Sequence, residues 1–312
     1  MNGDPIEIVG LRKQYKEFVA VNDLTFAVKK NSFTGFLGPN GAGKSTTLKI
    51  LTNLIRATSG NAYLNGIDVT VDAKNALKGV GTVVETPEFY GYLTPVQTFQ
   101  YMGSIFGMNK EAIAAQTDEI LTDMKMTEWA DKKIGTFSKG MKQRISLGLS
   151  MLNDPSIIIL DEPTSGLDPR GMAETREVLK NIRKKNNNLT ILMSSHMLHE
   201  VSDMCDRITL INHGTLLMEG KMEDVLGANN MRTISVKTVG GPNQEAVDAI
   251  AKVPKVHDPR ISGNVIKFAF EGDDEDQAEL MKDITGLGIK VFSMNEDEAL
   301  ENIYLNMIKE TR

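Results

Sequence analysis

Residues 38–45 constrain the fold more than any other part of this 312-residue chain. They read Gly-Pro-Asn-Gly-Ala-Gly-Lys-Ser, which matches the phosphate-loop pattern of a glycine, four intervening residues and then Gly-Lys-Ser. Backbone N–H groups in such a loop turn inward on phosphate oxygens, and the helix that follows adds the positive end of its dipole. The spacing therefore predicts a strand, a phosphate-binding turn and a helix, in that order.

The polar residues of this segment have distinct expected roles. Lys44 would neutralise the outer phosphates of a nucleotide, and Ser45 would hold Mg²⁺ through its hydroxyl. The loop and the first helical residues would cradle the phosphates. The predicted binding set is Gly38, Pro39, Asn40, Gly41, Ala42, Gly43, Lys44, Ser45 and Thr46.

Apolar, β-rich runs separated by helical stretches surround this motif. Strands are predicted at residues 6–11, 24–28, 33–37, 80–84, 157–160, 189–193 and 208–211. Between residues 94 and 152 the periodicity is helical throughout. The pattern predicts an α/β fold whose largely parallel sheet is buried on both faces and carries an inserted helical subdomain.

A second, smaller α/β unit is predicted from about residue 230. Strands at 234–238, 265–270 and 289–292 alternate with helices near 244–252, 277–285 and 298–309. The acidic residues 271–276 are interpreted as a solvated approach to a helix. The expected domains are therefore residues 1–222, with the helical subdomain at about 94–152, and residues 230–312.

Two adjacent carboxylates, Asp161 and Glu162, end the aliphatic run at 157–160. Ligands bind at the carboxyl ends of strands in open α/β sheets, and neighbouring strand residues point to opposite sides. We expect Asp161 to reach Mg²⁺, directly or through water. Glu162 is expected to polarise the water that attacks the γ-phosphate.

Further segments resemble those of the ATP-binding subunits of ABC transporters, over residues 5 to about 222. Residues 137–144 (Phe-Ser-Lys-Gly-Met-Lys-Gln-Arg) are similar to the family signature, and 165–168 (Ser-Gly-Leu-Asp) to the loop that faces the dimer. Residues 194–196 (Ser-Ser-His) resemble the switch segment. The resemblance implies a phosphate-loop ATPase core with a mostly parallel sheet, an antiparallel β subdomain and an inserted helical subdomain, followed by a small accessory α/β domain.

The resemblance also implies roles for single residues. Tyr15 would stack on adenine, and His196 would donate a hydrogen bond to the γ-phosphate. Ser138 and Gly140 form a second anion site at a helix N-terminus, and the family implies that it closes over ATP held by a partner in a head-to-tail dimer. Asp168 would lie at that nucleotide-holding dimer face. The partner would be a second copy or a homologous ATPase subunit.

Some positions depart from the family pattern. In the signature, Lys139 replaces a glycine and Met141 a glutamine. Glu85 stands where most of the family has a glutamine that contacts Mg²⁺; it could still ligate the ion. Residues 84–94 around it resemble the bacitracin-resistance type of exporter, and residues 300–304 (Leu-Glu-Asn-Ile-Tyr) resemble a closing helix of drug-export ATPases.

Composition and hydropathy limit the partners and the location that are expected for this chain. No stretch approaches the roughly 18 to 20 apolar residues that cross a bilayer, so the resemblance implies separate integral membrane permease subunits. The polar N-terminus lacks a secretory signal, and the single cysteine, Cys205, fits a reducing compartment, so the expected location is the cytoplasmic face of the membrane. A net charge of −6 argues against nucleic acid as a partner.

The function that the resemblance implies is MgATP hydrolysis driving export of a drug, antimicrobial peptide or lipid-like substrate. An alternative is a soluble, non-transport ABC ATPase that acts as a mechanical switch on DNA or ribosomes. Such proteins carry a coiled-coil insertion, a second cassette or a basic arm, and the sequence shows none of these. A regulator that scarcely hydrolyses ATP would lack the base or the switch, whereas Glu162 and His196 are both present.

Overall fold

The computed structural model describes residues 3–85, 88–227 and 231–297. The chain divides into two compact units with a boundary after Lys221. The elements of the first unit are β1 (Ile6–Tyr15), β2 (Phe18–Val28), β3 (Phe33–Leu37), α1 (Lys44–Leu51), β4 (Ser59–Leu64), β5 (Ile67–Asp68), α2 (Ala73–Ala76), β6 (Val80–Val83), α3 (Pro95–Ile105), α4 (Lys110–Asp123), α5 (Lys139–Met151), β7 (Ile157–Asp161), α6 (Pro169–Lys185), β8 (Thr190–Ser195), α7 (Leu198–Met204), β9 (Arg207–Asn212) and β10 (Thr215–Lys221).

Two sheets form the first unit. The larger has the strand order β10-β9-β3-β8-β7-β6, in which only the edge strand β10 pairs antiparallel. Strands β3 and β8 are buried along their whole length, which explains their continuous apolar character. The smaller sheet, β2-β1-β4-β5, is antiparallel. The predicted α/β core, its mostly parallel sheet and its antiparallel β subdomain are therefore confirmed.

The inserted segment between β6 and β7 is helical, as predicted. A capping box between Thr94 and Gln97 starts α3, with Pro95 in its first turn. Strand β6 meets α5 backbone to backbone, because a Cβ on Gly81 would lie 1.8 Å from the carbonyl oxygen of Ser150. Only glycine fits at that contact.

The second unit has a different topology. Its elements are α8 (Met222–Gly227), β11 (Met231–Thr238), α9 (Gln244–Ile250), β12 (Val256–Ser262), β13 (Val265–Glu271), α10 (Asp274–Gly286) and β14 (Val291–Asp297). The sheet order β12-β13-β11-β14 is antiparallel throughout, which is the split β-α-β arrangement. Its core includes Ile234, Phe268, Leu280 and Ile284.

Some elements differ from the sequence-based expectations. Strands β4, β10 and β12 were not predicted. The acidic run proves to be the start of α10, where Asp273 and Asp276 form a capping box. The helix predicted at 298–309, with residues 300–304 inside it, lies outside the described residues. Among the helices that the structure does describe, none has both the length and the apolar character needed to span a bilayer.

Candidate functional site

The candidate site lies where the parallel strands β3, β7 and β8 end. In the pairing register, Leu37 of β3 lies beside Ser195 of β8, and Asp161 of β7 lies beside Ser194. Because these strands are parallel, their carboxyl ends meet at one edge of the sheet, and the phosphate loop and the two carboxylates follow from that edge. The topology thus brings together segments that are far apart in the sequence.

The phosphate loop owes its path to glycine. Gly43, the residue before α1, has a left-handed φ of 102°, and a Cβ there would lie 2.5 Å from the carbonyl oxygen of Ala20. Gly41 is also left-handed, with φ at 82°. These positions exclude other residues because a side chain would be strained or would clash. The loop can therefore bring its backbone close to a ligand.

Lys44, the first residue of α1, is almost wholly buried, with 4% of its surface exposed. Its Nζ donates to the carbonyl oxygens of Gly38 and Pro39 at 2.8 and 3.2 Å. The Glu162 carboxylate is 3.4 Å away. Burial lowers the pKa of Lys44, and the Glu162 and Asp161 carboxylates oppose that shift. The ammonium is thus held over the loop by two carbonyl oxygens and a carboxylate, all of them negatively charged or partially so.

Asp161 is hydrogen-bonded on two sides. Its Oδ1 accepts from Ser45 Oγ at 3.1 Å and from Ser194 Oγ at 2.6 Å. Ser194, fully buried, also accepts from the backbone N–H of Glu162 at 2.9 Å. Ser194 therefore fixes both neighbouring acids from the adjacent strand. The sequence analysis assigned Ser194 no role, although its place two residues before His196 was a signal that could have identified it.

The Ser45 hydroxyl and the Asp161 carboxylate fit Mg²⁺, which prefers hard oxygen ligands. Among the described residues there is no cluster of three or more His, Cys, Asp or Glu side chains arranged for a metal. The protein would thus supply only part of an octahedral shell. Mg²⁺ commonly completes such a shell with substrate phosphate and water.

Glu162 lies between two cationic or hydrogen-bonding groups. One carboxylate oxygen faces Lys44 Nζ, and the other is 3.1 Å from His196 Nδ1. Glu162 itself follows β7 with a left-handed φ of 44°, so the chain turns sharply at this residue. The His196 side chain is 39% exposed, which leaves it accessible to a ligand. The structure thus brings Lys44, Glu162 and His196 together.

The segment similar to the family signature spans the start of α5, and the segment similar to the dimer loop leads into α6. Ser138 caps α5 by accepting from the N–H of Met141 at 3.3 Å, and Asp168 caps α6 by accepting from that of Gly171 at 3.0 Å. A Cβ on Gly140 would be 3.6 Å from Gly171 Cα. In the described ranges the side chains of Ser138 and Asp168 form no hydrogen bond or ion pair with the side chains of Lys44, Glu162 and His196, although the backbone N–H of Ser165 donates to the carbonyl oxygen of Glu162 at 3.0 Å.

Lys139 bridges these two segments. Its Nζ donates to the carbonyl oxygen of Ser165 at 3.1 Å, and it lies against Gly166, where a Cβ would come within 2.4 Å of the amine. The lysine that departs from the family pattern therefore contacts the loop before α6. No such contact could be read from the spacing alone.

The remaining predicted residues, Tyr15 and Glu85, occupy different surroundings. Tyr15 ends β1, is 45% exposed, and has the ammonium of Lys13 4.8 Å from its ring centroid. Glu85 pairs with Lys49 of α1 at 2.5 Å, and this hydrogen bond raises the pKa of Lys49. Glu85 makes no described contact with Ser45 or Asp161. Lys49 is a partner that the sequence analysis did not consider.

The chain is similar to known proteins along most of its length. The ABC transporter family model matches residues 21–165. The linearmycin resistance ATP-binding protein LnrL of Bacillus subtilis is 30% identical over 98% of this chain and 99% of its own length. The bacitracin transport ATP-binding protein BcrA of Bacillus licheniformis is 33% identical over 97% of each chain. A solved ATP-binding subunit of an ABC transporter superposes with a TM-score of 0.64 at 26% identity, covering 72% of this chain and 92% of that one.

Proposed function

This chain belongs to the family of ABC transporter ATP-binding proteins, and we propose that it hydrolyses MgATP in a head-to-tail dimer to drive export through separate membrane-spanning subunits. The observation that carries the proposal is the position of Glu162. Its carboxylate lies within 3.4 Å of Lys44 and 3.1 Å of His196, at the edge where the phosphate loop begins. A carboxylate at this edge is suited to orient a water for in-line attack on a terminal phosphate.

In the proposed mechanism, the backbone of residues 38–46 cradles the phosphates. Lys44 turns its ammonium from Glu162 towards the terminal phosphate, where it stabilises charge that develops in the transition state. Glu162 then accepts a hydrogen bond from the attacking water and orients it. His196 donates to the γ-phosphate from the opposite side of Glu162. The side chain of Glu162 already lies within contact distance of those of Lys44 and His196 in the structure.

Ser45 and Asp161 would hold Mg²⁺, which supplies charge neutralisation on the transferring phosphoryl group when bound. Ser194 keeps the Asp161 carboxylate oriented towards Ser45, since it donates to the same oxygen. Glu85 could join this set only by leaving Lys49. Its part in metal binding is therefore conditional on breaking that ion pair.

Residues outside the Lys44, Glu162 and His196 group would contact the adenine ring and the second subunit. Tyr15 offers an exposed ring for stacking, and the ammonium of Lys13 lies over that ring. Ser138 and Gly140, at the N-terminus of α5, and Asp168, at that of α6, would face ATP held by the second subunit. Both helix ends carry partial positive charge, which suits a phosphate ligand.

The membrane subunits would bind in a groove beside β6 and α3. Its volume is about 640 Å³, and its lining includes Glu85, Phe89, Tyr101 and Phe106. Several of its lining side chains are exposed (Leu54, Tyr90, Tyr101 and Phe106), and Ile105 of α3 adds a further exposed apolar side chain. An apolar patch with acidic neighbours suits a short amphipathic helix from a permease. Peripheral attachment at the cytoplasmic membrane face follows from this proposal.

The class of cargo is proposed from the relatives. Two of them, each matched along nearly its whole length, are named for linearmycin resistance and for bacitracin transport. We therefore propose an antimicrobial or lipid-like amphiphile as cargo, moved outward. The site itself recognises nucleotide, so cargo identity depends on the membrane subunits.

The catalytic proposal is tested with Glu162→Gln. Because the amide cannot orient water as the carboxylate does, we expect MgATP binding to persist while turnover falls by at least about 100-fold. A dimer should accumulate with MgATP, measured by light scattering after size-exclusion chromatography. Glu177→Gln, which alters an exposed acid paired with Lys125, is the matched control and should hydrolyse normally. Wild-type turnover in Glu162→Gln would rule out Glu162 as the base.

The transport proposal is tested by affinity capture. Tagged Glu162→Gln with MgATP is used to capture partners from detergent-solubilised membranes of its natural host. A stoichiometric polytopic membrane protein is expected to co-purify. Recovery of ribosomal or DNA-associated proteins without a membrane protein would instead support the mechanical-switch alternative.

A further inference from the structure

A buried carboxylate with no part in the mechanism above joins the loops that carry Glu162 and His196. Glu200, in α7, is only 1% exposed. Its Oε2 accepts from Thr164 Oγ1 at 2.8 Å and from Ser195 Oγ at 3.1 Å. One carboxylate oxygen therefore connects two segments that are separate in the sequence.

The two donors belong to the two catalytic segments. Thr164 lies two residues after Glu162, and Ser195 lies immediately before His196. The Ser195 hydroxyl also accepts from the backbone N–H of Met197 at 2.9 Å, which fixes the turn on the other side of His196. A shift of either loop would thus stretch a hydrogen bond to Glu200.

Burying the Glu200 carboxylate is energetically costly, so its presence points to a role other than packing. Its other oxygen, Oε1, is buried and has no hydrogen-bond partner among the described residues. A buried acid with half of its hydrogen-bonding capacity unmet costs stability, and an apolar side chain of similar size often packs as well or better. Packing alone therefore gives little reason for a glutamate at this position.

Ser194 and Glu200 hold the Glu162 segment at different places. Ser194 binds the backbone N–H of Glu162 and the side chain of Asp161, so it fixes the start of the turn. Glu200 binds Thr164, so it fixes the turn beyond Glu162. Glu200 therefore adds a further link between the two loops, beyond the contacts that Ser194 and His196 make with Glu162. Loss of Glu200 would leave β7 in place but loosen the Glu162 loop against the His196 loop.

We propose that Glu200 is a positioning residue that holds the Glu162 loop against the His196 loop, so that both side chains keep their geometry around the terminal phosphate. The inference rests on the proposed ATPase function. Displacements of about 1 Å in a reacting group can reduce rates by about 100-fold, so a tether of this kind has a measurable effect. Binding of the nucleotide, which depends on the phosphate loop, is expected to change little.

The test removes each hydroxyl without removing the buried carboxylate. Thr164→Val and Ser195→Ala should each lower kcat for MgATP by about tenfold, with KM within about twofold of wild type. The double variant should be little worse than either single one, because the bridge needs both ends. Glu200→Gln keeps a carbonyl acceptor, so its kcat should lie above that of Glu200→Ala.

Thr175→Val is the matched control. Thr175 is as buried as Thr164 and lies in the same unit, but its hydroxyl has no hydrogen-bond partner in the described structure. Its kcat should stay at the wild-type value. Equal loss in Thr175→Val and Thr164→Val would overturn the proposal, because the effect would then belong to the core in general. Wild-type kcat in both Thr164→Val and Ser195→Ala would also overturn it.

Hydrogen–deuterium exchange of the intact chain gives a readout that does not depend on turnover. In Thr164→Val, backbone amides at residues 164–167 and 196–198 should both exchange faster, while those of α10 should not change. Unchanged exchange at 196–198 would overturn the bridge. If the wild-type chain does not hydrolyse ATP, or Glu162→Gln hydrolyses it equally well, the proposed function fails; the exchange result then still decides the bridge.

Discussion

The six-stranded sheet of the first unit and the sheet of the second unit differ in where their strands end. In the six-stranded sheet, β6, β7, β8, β3 and β9 are parallel, so their carboxyl ends meet at one edge. In the four-stranded sheet of the second unit each strand runs opposite to its neighbours, so its strand ends are divided between two edges. Only the first arrangement gathers loops from several strands around one point.

The charged side chains of the two units also differ in where their partners come from. The second unit has the denser acidic run, yet those residues satisfy one another locally: Asp273 and Asp276 cap α10, and Lys255 pairs with Asp276. In the first unit, Lys44, Glu162 and His196 come from three separate segments. Strand direction, rather than the density of charge, therefore decides which unit can hold a nucleotide.

The strongest test of this contrast compares two lysines. Lys44→Ala should weaken MgATP binding by about 1000-fold, or about 4 kcal/mol, because the loop loses its buried cation. Lys255→Ala, which removes an exposed lysine paired with an acid in the second unit, should leave the affinity unchanged. Isothermal titration calorimetry measures both. Equal affinities for Lys44→Ala and wild type would refute the phosphate-loop assignment.

A core substitution tests whether the second unit contributes to nucleotide binding. Leu280 is fully buried in its core, so Leu280→Ala should lower the free energy of unfolding of that unit by about 2–5 kcal/mol. Urea unfolding followed by circular dichroism measures the loss. The MgATP affinity, measured below the transition, should match wild type; a parallel fall in affinity would contradict the division of roles described above.

The smallest expected effect concerns the acidic run. Asp273→Ala should cost the second unit about 1 kcal/mol, because two N–H groups at the start of α10 lose their acceptor. Asp273→Ser keeps a capping oxygen and should retain most of the stability. If both variants unfold at the same urea concentration as wild type, capping does not explain this cluster of acids.

Much of the fold could be predicted because its signals are local. The run at 33–37 is apolar and ends at a glycine turn, and β3 has the same bounds. Helix α3 begins at Pro95, inside the segment predicted to be helical, because the cap at Thr94 sets its boundary. Strand β12 was missed because it is an exposed edge strand that contains Pro259, and only pairing with β13 identifies it.

The motifs of the candidate site could be predicted from the sequence, whereas the contacts between them could not. The phosphate loop and the acid pair are contiguous motifs, so their residue types and spacing indicate their chemistry directly. Which residues touch is a property of the tertiary fold: Glu162 between Lys44 and His196 depends on the order of β3, β7 and β8. The pairing of Glu85 with Lys49 likewise joins a loop to a helix, and no local pattern specifies it.

The close approach of Gly81 to Ser150 has a mechanical consequence. Where two elements touch through side chains, a change of rotamer can accommodate a small displacement. At Gly81 the backbones themselves meet, so no side chain can adjust in this way. Any side chain at position 81 would therefore have to separate strand β6 from helix α5. The strand leads to Glu85, and the helix runs about 20 Å from the contact back to its cap at Ser138, so a substitution at one small residue would displace two segments of the candidate site at once.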